Sequence, residues 1–172
     1  MLAISEFNNH QIYWVWQQVN QDLRQALIRF WQENAAVQDS FDAWRRTFEV
    51  ACVALDPQGQ IVGVSSVYGA YGAGSPYWFY RTFIREDCRE VGLAPRIFAC
   101  THLQLAHAYV DEPQAPVGMM VVSENPKLET PAGIRVSQRA GLSHLGYNEQ
   151  GQSVWHLLFE PSVQRGDAGG DA

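Results

Sequence analysis

The segment from Tyr77 to Val122 constrains the fold of this chain more than any other feature. It predicts an aromatic-rich strand over Tyr77–Ile84, a long apolar helix over Val91–Val110 and an uncharged strand over Val117–Val122. The lack of charge in the last strand is typical of a strand buried on both faces. Two parallel strands joined by a crossover helix predict an α/β sheet that binds its ligand beyond the carboxyl ends of those strands.

A glycine-bearing turn, residues 89–94, connects the aromatic strand to the long helix, with the sequence Arg-Glu-Val-Gly-Leu-Ala. The free N–H groups of a first helical turn, together with the helix dipole, favour an anion at that position. Gly92 allows the backbone to approach a phosphate without an intervening side chain. Pro95 lies in the first turn of the helix, where a missing N–H costs little. The turn is therefore a predicted phosphate-binding site.

The rest of the chain predicts further strands and shorter helices. The predicted strands are residues 2–7, Phe48–Leu55, Ile61–Tyr68, Leu142–Tyr147 and Val154–Phe159, and the predicted helices are His10–Gln32 with a break near Asn20, Phe41–Arg46 and Pro131–Ala140. The first helical segment follows from apolar residues that recur at helical spacing after two asparagines expected to cap it. Tyr68–Pro76 contains three glycines and is expected to be a loop or an irregular strand end.

Composition favours one domain in a reducing compartment. The 172 residues predict a single domain over residues 1–162 and a disordered Gly/Asp-rich tail over 163–172. No apolar run approaches the roughly 18 residues of a membrane span, and the N-terminus does not resemble a secretory signal. The three cysteines have no metal-like spacing, so free thiols and a cytoplasmic location are expected, with no metal. The net charge of −6 argues against broad affinity for nucleic acid.

The turn and the order of elements together resemble the GNAT family of N-acetyltransferases along almost the whole chain. The spacing Arg-x-x-Gly-x-Ala at 89–94 resembles the pyrophosphate loop of that family, and Gly141-Leu142 stands where the family usually has Gly-Phe. The resemblance implies a mixed sheet of six to seven strands flanked by about four helices. Its fourth and fifth strands, here Trp78–Ile84 and Val117–Val122, would run parallel and splay apart around acetyl-CoA or another acyl-CoA.

The resemblance also assigns candidate cofactor residues. By this resemblance the strand end, the loop and the segment after the fifth strand contact acyl-CoA through Phe83, Ile84, Arg85, Arg89, Val91, Gly92, Leu93, Ala94 and Asn125. Many family members also carry a carboxylate base on strand four and an acidic Tyr four residues before the Gly-Phe pair. Here no Asp or Glu occurs between Pro57 and Arg85, and the Tyr position is Ser137. The remaining catalytic candidates are Tyr80, Ser123 and Glu124.

Three functions stay open at this level. The first is an N-acyltransferase in which an amine attacks the thioester directly, since no Ser or Cys lies in a nucleophile arrangement. The second is a non-catalytic protein that senses acyl-CoA or binds a partner. The third and weakest is an enzyme that modifies a nucleic-acid base, which would need a basic stripe formed by Arg81, Arg85, Arg89, Arg96, Arg135 and Arg139. The acceptor, the acyl chain and the oligomeric state, including a homodimer, are not determined by the sequence.

Overall fold

The computed structural model describes residues 1–160, in which eight strands form one sheet accompanied by four α-helices. The strands are β1 (Ala3–Phe7), β2 (His10–Trp14), β3 (Val50–Leu55), β4 (Ile61–Gly72), β5 (Ser75–Ile84), β6 (Gly118–Val122), β7 (Ser143–Tyr147) and β8 (Ser153–Leu158). The helices are α1 (Gln21–Glu33), α2 (Ser40–Arg46), α3 (Leu93–Ala108) and α4 (Pro131–Arg139). The tail predicted for residues 163–172 lies outside the described residues.

The sheet is mixed, with the order β1-β2-β3-β4-β5-β6-β8-β7. Strands β5 and β6 are parallel and are joined through α3, while the other neighbouring strands of the described chain are antiparallel. The predicted mixed sheet and its parallel pair are confirmed. The strand count is one higher than the predicted upper value because the N-terminal region contributes an extra strand.

That extra strand is β2, where the sequence had predicted a helix. His10–Trp14 pairs with both β1 and β3, and the asparagines at 8 and 9 form the turn before it, with φ of 44° and 67°. Positive φ at both central residues is the requirement of a tight hairpin turn, and asparagine tolerates it. The helical prediction for this segment was wrong because a short apolar run fits either period, and an open sheet edge stabilises the strand. Asn20 caps the true helix α1 by accepting a hydrogen bond from Leu23 N at 2.9 Å.

The predicted loop at Tyr68–Pro76 is mostly a hairpin. Strand β4 continues to Gly72 and β5 begins at Ser75, with a turn at Ala73-Gly74 whose φ values are 48° and 79°. A Cβ on Gly72 would lie 2.8 Å from Met120 Sδ. This glycine therefore permits close packing on the sheet instead of marking a loop.

Helices cover both faces of the sheet. On one face, α1 packs Leu27, Phe30 and Trp31 against buried residues of β3 and β4. On the other face, α3 packs Leu93 and Ile97 into a cluster with residues of β2, β3, β4 and β5. Side chains that alternate along β5 therefore contact opposite helices, and α3 is held with its N-terminus close to the end of that strand.

The connection between α3 and the sheet includes a buried polar contact. Ser65 Oγ of β4 lies 2.8 Å from Thr101 Oγ1 of α3, and both residues are fully buried. Thr101 Oγ1 donates to Ile97 O at 2.9 Å, and Ser65 Oγ accepts from Cys52 N at 3.1 Å. This chain of hydrogen bonds fixes the register of α3 on the sheet.

None of the helices at residues 1–160 has the length and apolar character needed to cross a bilayer.

Candidate functional site

The parallel strands β5 and β6 separate before they end. Their ladder pairs Trp78 with Met119 and Phe79 with Met120, but β5 continues to Ile84. The predicted splay is therefore confirmed, and it begins after Phe79. A strand with a neighbour on one side leaves alternate N–H and C=O groups of its open edge without a ladder partner. This edge can pair with an extended amide-containing ligand, as an added strand would.

A cavity of about 640 Å³ opens at this gap. It is lined by strand residues on both sides of the gap, by the first turn of α3 and by α1, α2 and the loop between them. Its size falls within the range of about 300–1,000 Å³ that is common for small-molecule sites. The cavity, the splayed strands and the α3 N-terminus meet at one place on the molecule, which makes this the candidate functional site.

Half of the predicted site residues line this cavity. They are Phe83 of β5, Ala94 of α3, the three consecutive residues Ser123, Glu124 and Asn125 after β6, and Tyr80. They come from three separate chain segments that the fold brings to one cavity. Their roles stay predictions.

The segment after β6 is a turn held by its own side chains. Ser123 Oγ donates to Asn125 O at 3.2 Å, and Asn125 Oδ1 accepts from Lys127 N at 3.0 Å. Asn125 is exposed, and Pro126 directly follows it at the start of the short 3-10 turn. These contacts leave the Asn125 amide nitrogen directed away from the capping bond, and the residue lines the cavity. Glu124 is exposed and supplies the one carboxylate among the cavity-lining residues of the described chain.

Gly92 has a local structural role as well as its predicted one. It caps α3 at φ +105°, and a Cβ there would lie 2.7 Å from Phe7 Cζ of β1. The glycine is therefore required by backbone conformation and by the contact with β1. The first turn of α3 offers the N–H group of Ala94, because Pro95 has none, Arg96 N donates to Gly92 O at 3.0 Å and Leu93 N donates to Glu90 O at 3.5 Å.

The two arginines assigned to the cofactor bond other groups in this structure. Arg89 Nε donates to Ile84 O at 2.9 Å, and its guanidinium lies 5.6 Å from the Phe83 ring centroid. Arg85 Nε donates to Asp87 Oδ1 at 2.6 Å, and this bond raises the pKa of Arg85. Neither arginine lines the cavity. Contact of either with a phosphate would need a side-chain rotation, which costs least for exposed Arg89.

Three other assigned residues lie beside the cavity. Ile84 and Leu93 are buried in the apolar cluster between β5 and α3, so their side chains support the helix N-terminus. Val91 is 99% exposed at the tip of the turn. None of the three lines the cavity.

Tyr80 lies among apolar residues. Its ring packs edge-on against Phe98 of α3 at 5.1 Å, within a cluster that includes Met119 and Leu105. Its hydroxyl has no hydrogen-bond partner among the described residues, and burial raises its pKa. A phenol in such surroundings stays neutral, so it can donate a hydrogen bond but is a poor base.

The position that carries an acidic Tyr in many similar proteins does not supply an acid here. Ser137 is buried on α4 and does not line the cavity, and its carbonyl accepts from Leu142 N at 3.1 Å.

The two histidines of the final hairpin make different contacts. His156 Nδ1 forms a hydrogen bond with Tyr77 Oη at 2.9 Å, and the ring of His144 packs on the ring of Trp155 with 4.8 Å between centroids. Residues 1–160 contain no group of three potential metal ligands.

Sequence reasoning missed the residues that line the cavity on its α1–α2 side. They include Arg46 of α2, Ser66 of β4 and Arg81 of β5. Arg81 had been considered only as part of a basic nucleic-acid stripe. Its alternation with Phe79 and Phe83 was the available signal, since residues two apart share one face of a strand.

Comparison with solved structures identifies proteins that share the fold of this chain. The sequence matches no family model and no curated protein. Three of the similar solved structures are the ribosomal-protein-S5-alanine acetyltransferase from Vibrio fischeri, the GNAT domain of S. lividans PAT, and a GNAT superfamily phosphinothricin acetyltransferase from Sinorhizobium meliloti in complex with AcCoA. Their TM-scores are 0.63, 0.60 and 0.59 at 11%, 13% and 11% identity. The alignments cover 91%, 87% and 91% of this chain, and 96%, 90% and 95% of theirs. At such identities the likeness establishes the fold.

Proposed function

We propose that this chain, which has the fold of the GNAT acetyltransferases, transfers an acetyl group from acetyl-CoA to an amine in a ternary complex. The observation that carries the proposal is the gap between β5 and β6, which opens after Phe79 into a cavity of about 640 Å³. The open edge of β5 suits the amide groups of a pantetheine arm, and the first turn of α3 suits its pyrophosphate. Ala94, Ser123 and Asn125 would line the path between them.

The reaction needs no covalent enzyme intermediate. The amine nitrogen attacks the thioester carbonyl carbon, the carbon–sulfur bond breaks, and CoA leaves as a thiolate. The amine loses one proton and the thiolate gains one, so the products are an amide and a free thiol. A backbone N–H on the open edge of β5 beyond Phe79 would stabilise the oxyanion that develops on the carbonyl oxygen.

Glu124 is our candidate for the base that removes the amine proton. It supplies the one carboxylate among the cavity-lining residues of the described chain, and it is exposed, so a proton can pass from it to solvent. The leaving thiolate needs no strong acid, because a thiol with a pKa of about 8.5 is a stable leaving group near neutral pH. Water in the open cavity can protonate it.

The first test is a calorimetric titration of acetyl-CoA and CoA into the protein. Ala94→Glu places a carboxylate at the phosphate end of the cavity, on a residue with ordinary helical geometry. Ala99→Glu is the matched control, since Ala99 is exposed on the same helix and does not line the cavity. Substitution of Gly92 would be a poor probe, because it would also strain the turn and collide with Phe7.

Micromolar binding that is lost in Ala94→Glu and kept in Ala99→Glu is the expected result. If the folded wild type binds neither ligand, the acetyl-CoA proposal fails. Binding that survives both substitutions would instead place the cofactor away from the α3 N-terminus.

The role of Glu124 is tested by turnover. We expect Glu124→Gln to lower kcat by about 10²–10⁴-fold, the usual contribution of a general base, while acetyl-CoA binding is retained. Glu149→Gln, on the exposed turn before β8, is the control. Equal kcat values for the two variants would exclude Glu124 as the base.

A second function is favoured by one specific observation. The faces of β4 and β5 carry no carboxylate, and Ser137 is buried outside the cavity. A protein that senses acyl-CoA without turning it over needs the gap but not a base or an acid. Tight CoA binding with no acetyl transfer to a broad panel of amines would support this alternative.

A further inference from the structure

We propose that the amine acceptor carries an anionic group, a carboxylate or a phosphate, which binds to Arg81 and Arg46 on the α1–α2 side of the cavity. The inference rests on the proposed function and specifies the substrate class of the same site. It comes from the position, the hydrogen bonding and the charge balance of these two arginines.

Arg81 is held in place inside the cavity by its surroundings. It lies on β5 two residues beyond Phe79, where the gap begins, and lines the cavity. Its guanidinium lies 4.7 Å from the Tyr68 ring centroid, and its Nη2 donates to Glu49 of the 3-10 turn after α2. Its Nε is buried and has no hydrogen-bond partner among the described residues. A buried donor without a partner costs free energy.

The charges around Arg81 are not balanced. Three guanidinium groups, those of Arg45, Arg46 and Arg81, share the carboxylates of Asp42 and Glu49. Arg45 bonds both carboxylates, at 2.7 Å and 2.8 Å, and Arg46 Nε bonds Asp42 at 3.0 Å. One positive charge is therefore left over at the part of the cluster that faces the cavity, since Arg46 and Arg81 line it.

The surroundings of Arg81 increase the effect of that charge. Burial lowers the pKa of Arg81, Glu49 raises it, and the neighbouring Arg46 lowers it further. A group whose charged form is disfavoured gains more from an added anion than an exposed one does. Carboxylate and phosphate present two or more oxygens to a guanidinium fork, which is the strongest common mode of such recognition.

The position of this charge explains why it should act on the acceptor. Arg46 and Arg81 are on the face of the sheet covered by α1 and α2, whereas the phosphate loop belongs to α3. An amine that reaches the thioester from the α1–α2 side places its remaining groups against these arginines. The site therefore selects a small amine with an acidic group over a neutral amine.

The test compares pairs of amines in which one member carries an anionic group and the other does not. Acetyl transfer is measured with O-phosphoethanolamine against ethanolamine, and with 4-aminobutyrate against butylamine. We expect kcat/KM to be at least tenfold higher for the anionic member of at least one pair. Arg81→Gln should lower this preference at least tenfold through KM, and Arg81→Lys, which keeps the charge, should restore part of it. Arg29→Gln is the matched control, because Arg29 is exposed on α1, does not line the cavity and takes no part in the ion pairs of the cluster.

A second measurement does not depend on turnover. Inorganic phosphate is titrated calorimetrically into the CoA-bound wild type, Arg81→Gln and Arg29→Gln, after circular dichroism has shown that each is folded. Binding lost in Arg81→Gln alone supports the anion site even if no amine is acetylated, a result that would contradict only the proposed activity. Equal preference for neutral and anionic amines, or phosphate binding unchanged by Arg81→Gln, would overturn the inference.

Discussion

Replacing Thr101 by Val should destabilise the protein even though the two side chains have nearly the same shape. Ser65 Oγ donates to Thr101 Oγ1 across 2.8 Å, because the Thr101 hydroxyl itself donates to Ile97 O. In Thr101→Val, the Ser65 O–H loses its acceptor in a fully buried position. A buried polar group without a partner costs about 1–3 kcal/mol, which for a chain of this size lowers Tm by about 2–4 °C per kcal/mol.

The double mutant separates this effect from a simple packing change. Ser65→Ala removes the acceptor of Cys52 N, and therefore carries a cost of its own. In Ser65→Ala/Thr101→Val, the orphaned O–H is absent, so the double mutant should be at least ~1 kcal/mol more stable than the sum of the two single effects predicts.

Equilibrium unfolding in urea, followed by tryptophan fluorescence, measures each free energy of unfolding. Thr101→Ser is the converse control, because it keeps the hydroxyl and removes the methyl group, so it measures the packing contribution alone. Wild-type stability in Thr101→Val, or strictly additive single mutants, would refute the hydrogen-bond argument and leave packing as the sole anchor of α3.

Three further predictions follow from the same structure. Gly118→Ala should cost about 1–3 kcal/mol in chemical unfolding, because its Cβ would lie 2.4 Å from a β8 carbonyl oxygen, whereas at Gly69 the nearest atom is 3.6 Å away and the same change should be tolerated. Of the three free thiols, Cys52 should resist a thiol reagent in the folded protein, since burial raises its pKa to about 12; three equally fast thiols would contradict this. Burial lowers the pKa of His102 below its unfolded value of about 6.5, so only the unfolded state binds that proton as pH falls, and stability declines below about pH 6.5. His102→Gln should flatten the fall of Tm between pH 7.5 and 5.5, and parallel Tm profiles would exclude this source.

The elements with strong local signals were predicted correctly. The short helix predicted over Phe41–Arg46 is present as α2, and Asp39 caps it by accepting a hydrogen bond from Asp42 N at 2.7 Å. The helix predicted over Pro131–Ala140 is present as α4, and Gly141 follows its end with φ +87°. In both cases the side chain or the missing side chain acts on its own neighbours, so the local sequence contains the whole explanation.

The helix predicted for the N-terminal segment was wrong for the opposite reason, because the structure there depends on residues far away in the chain. Ile12 and the apolar residues after it fit a helical stripe, but His10–Trp14 is stabilised by pairing with β3, about forty residues away in the chain. The pair Asn8-Asn9 was the local hint, because asparagine at both central positions suits a tight hairpin turn. When the sequence of a short segment fits both a helix and a strand, the element that it packs against or pairs with decides which of the two it forms.

The candidate site also combines features that the local sequence explains with features that depend on the fold. The turn at 89–94 could be recognised from spacing, yet Gly92 turns out to accommodate Phe7, and Arg89 bonds the end of β5. Arg46 and Arg81 carried no recognisable motif, because one lies on a helix and the other on a strand, and only the fold brings them to one cavity.

The sequence by itself determined where a ligand could bind: at a strand, a glycine turn and a helix in that order, followed by an uncharged strand. These are local properties of backbone conformation and apolar pattern. The tertiary structure alone decided that β5 leaves β6 after Phe79, and that two arginines with an uncompensated charge face the resulting cavity. Gap and charge depend on distances between residues far apart in the chain, and those distances exist only once both faces of the sheet are packed.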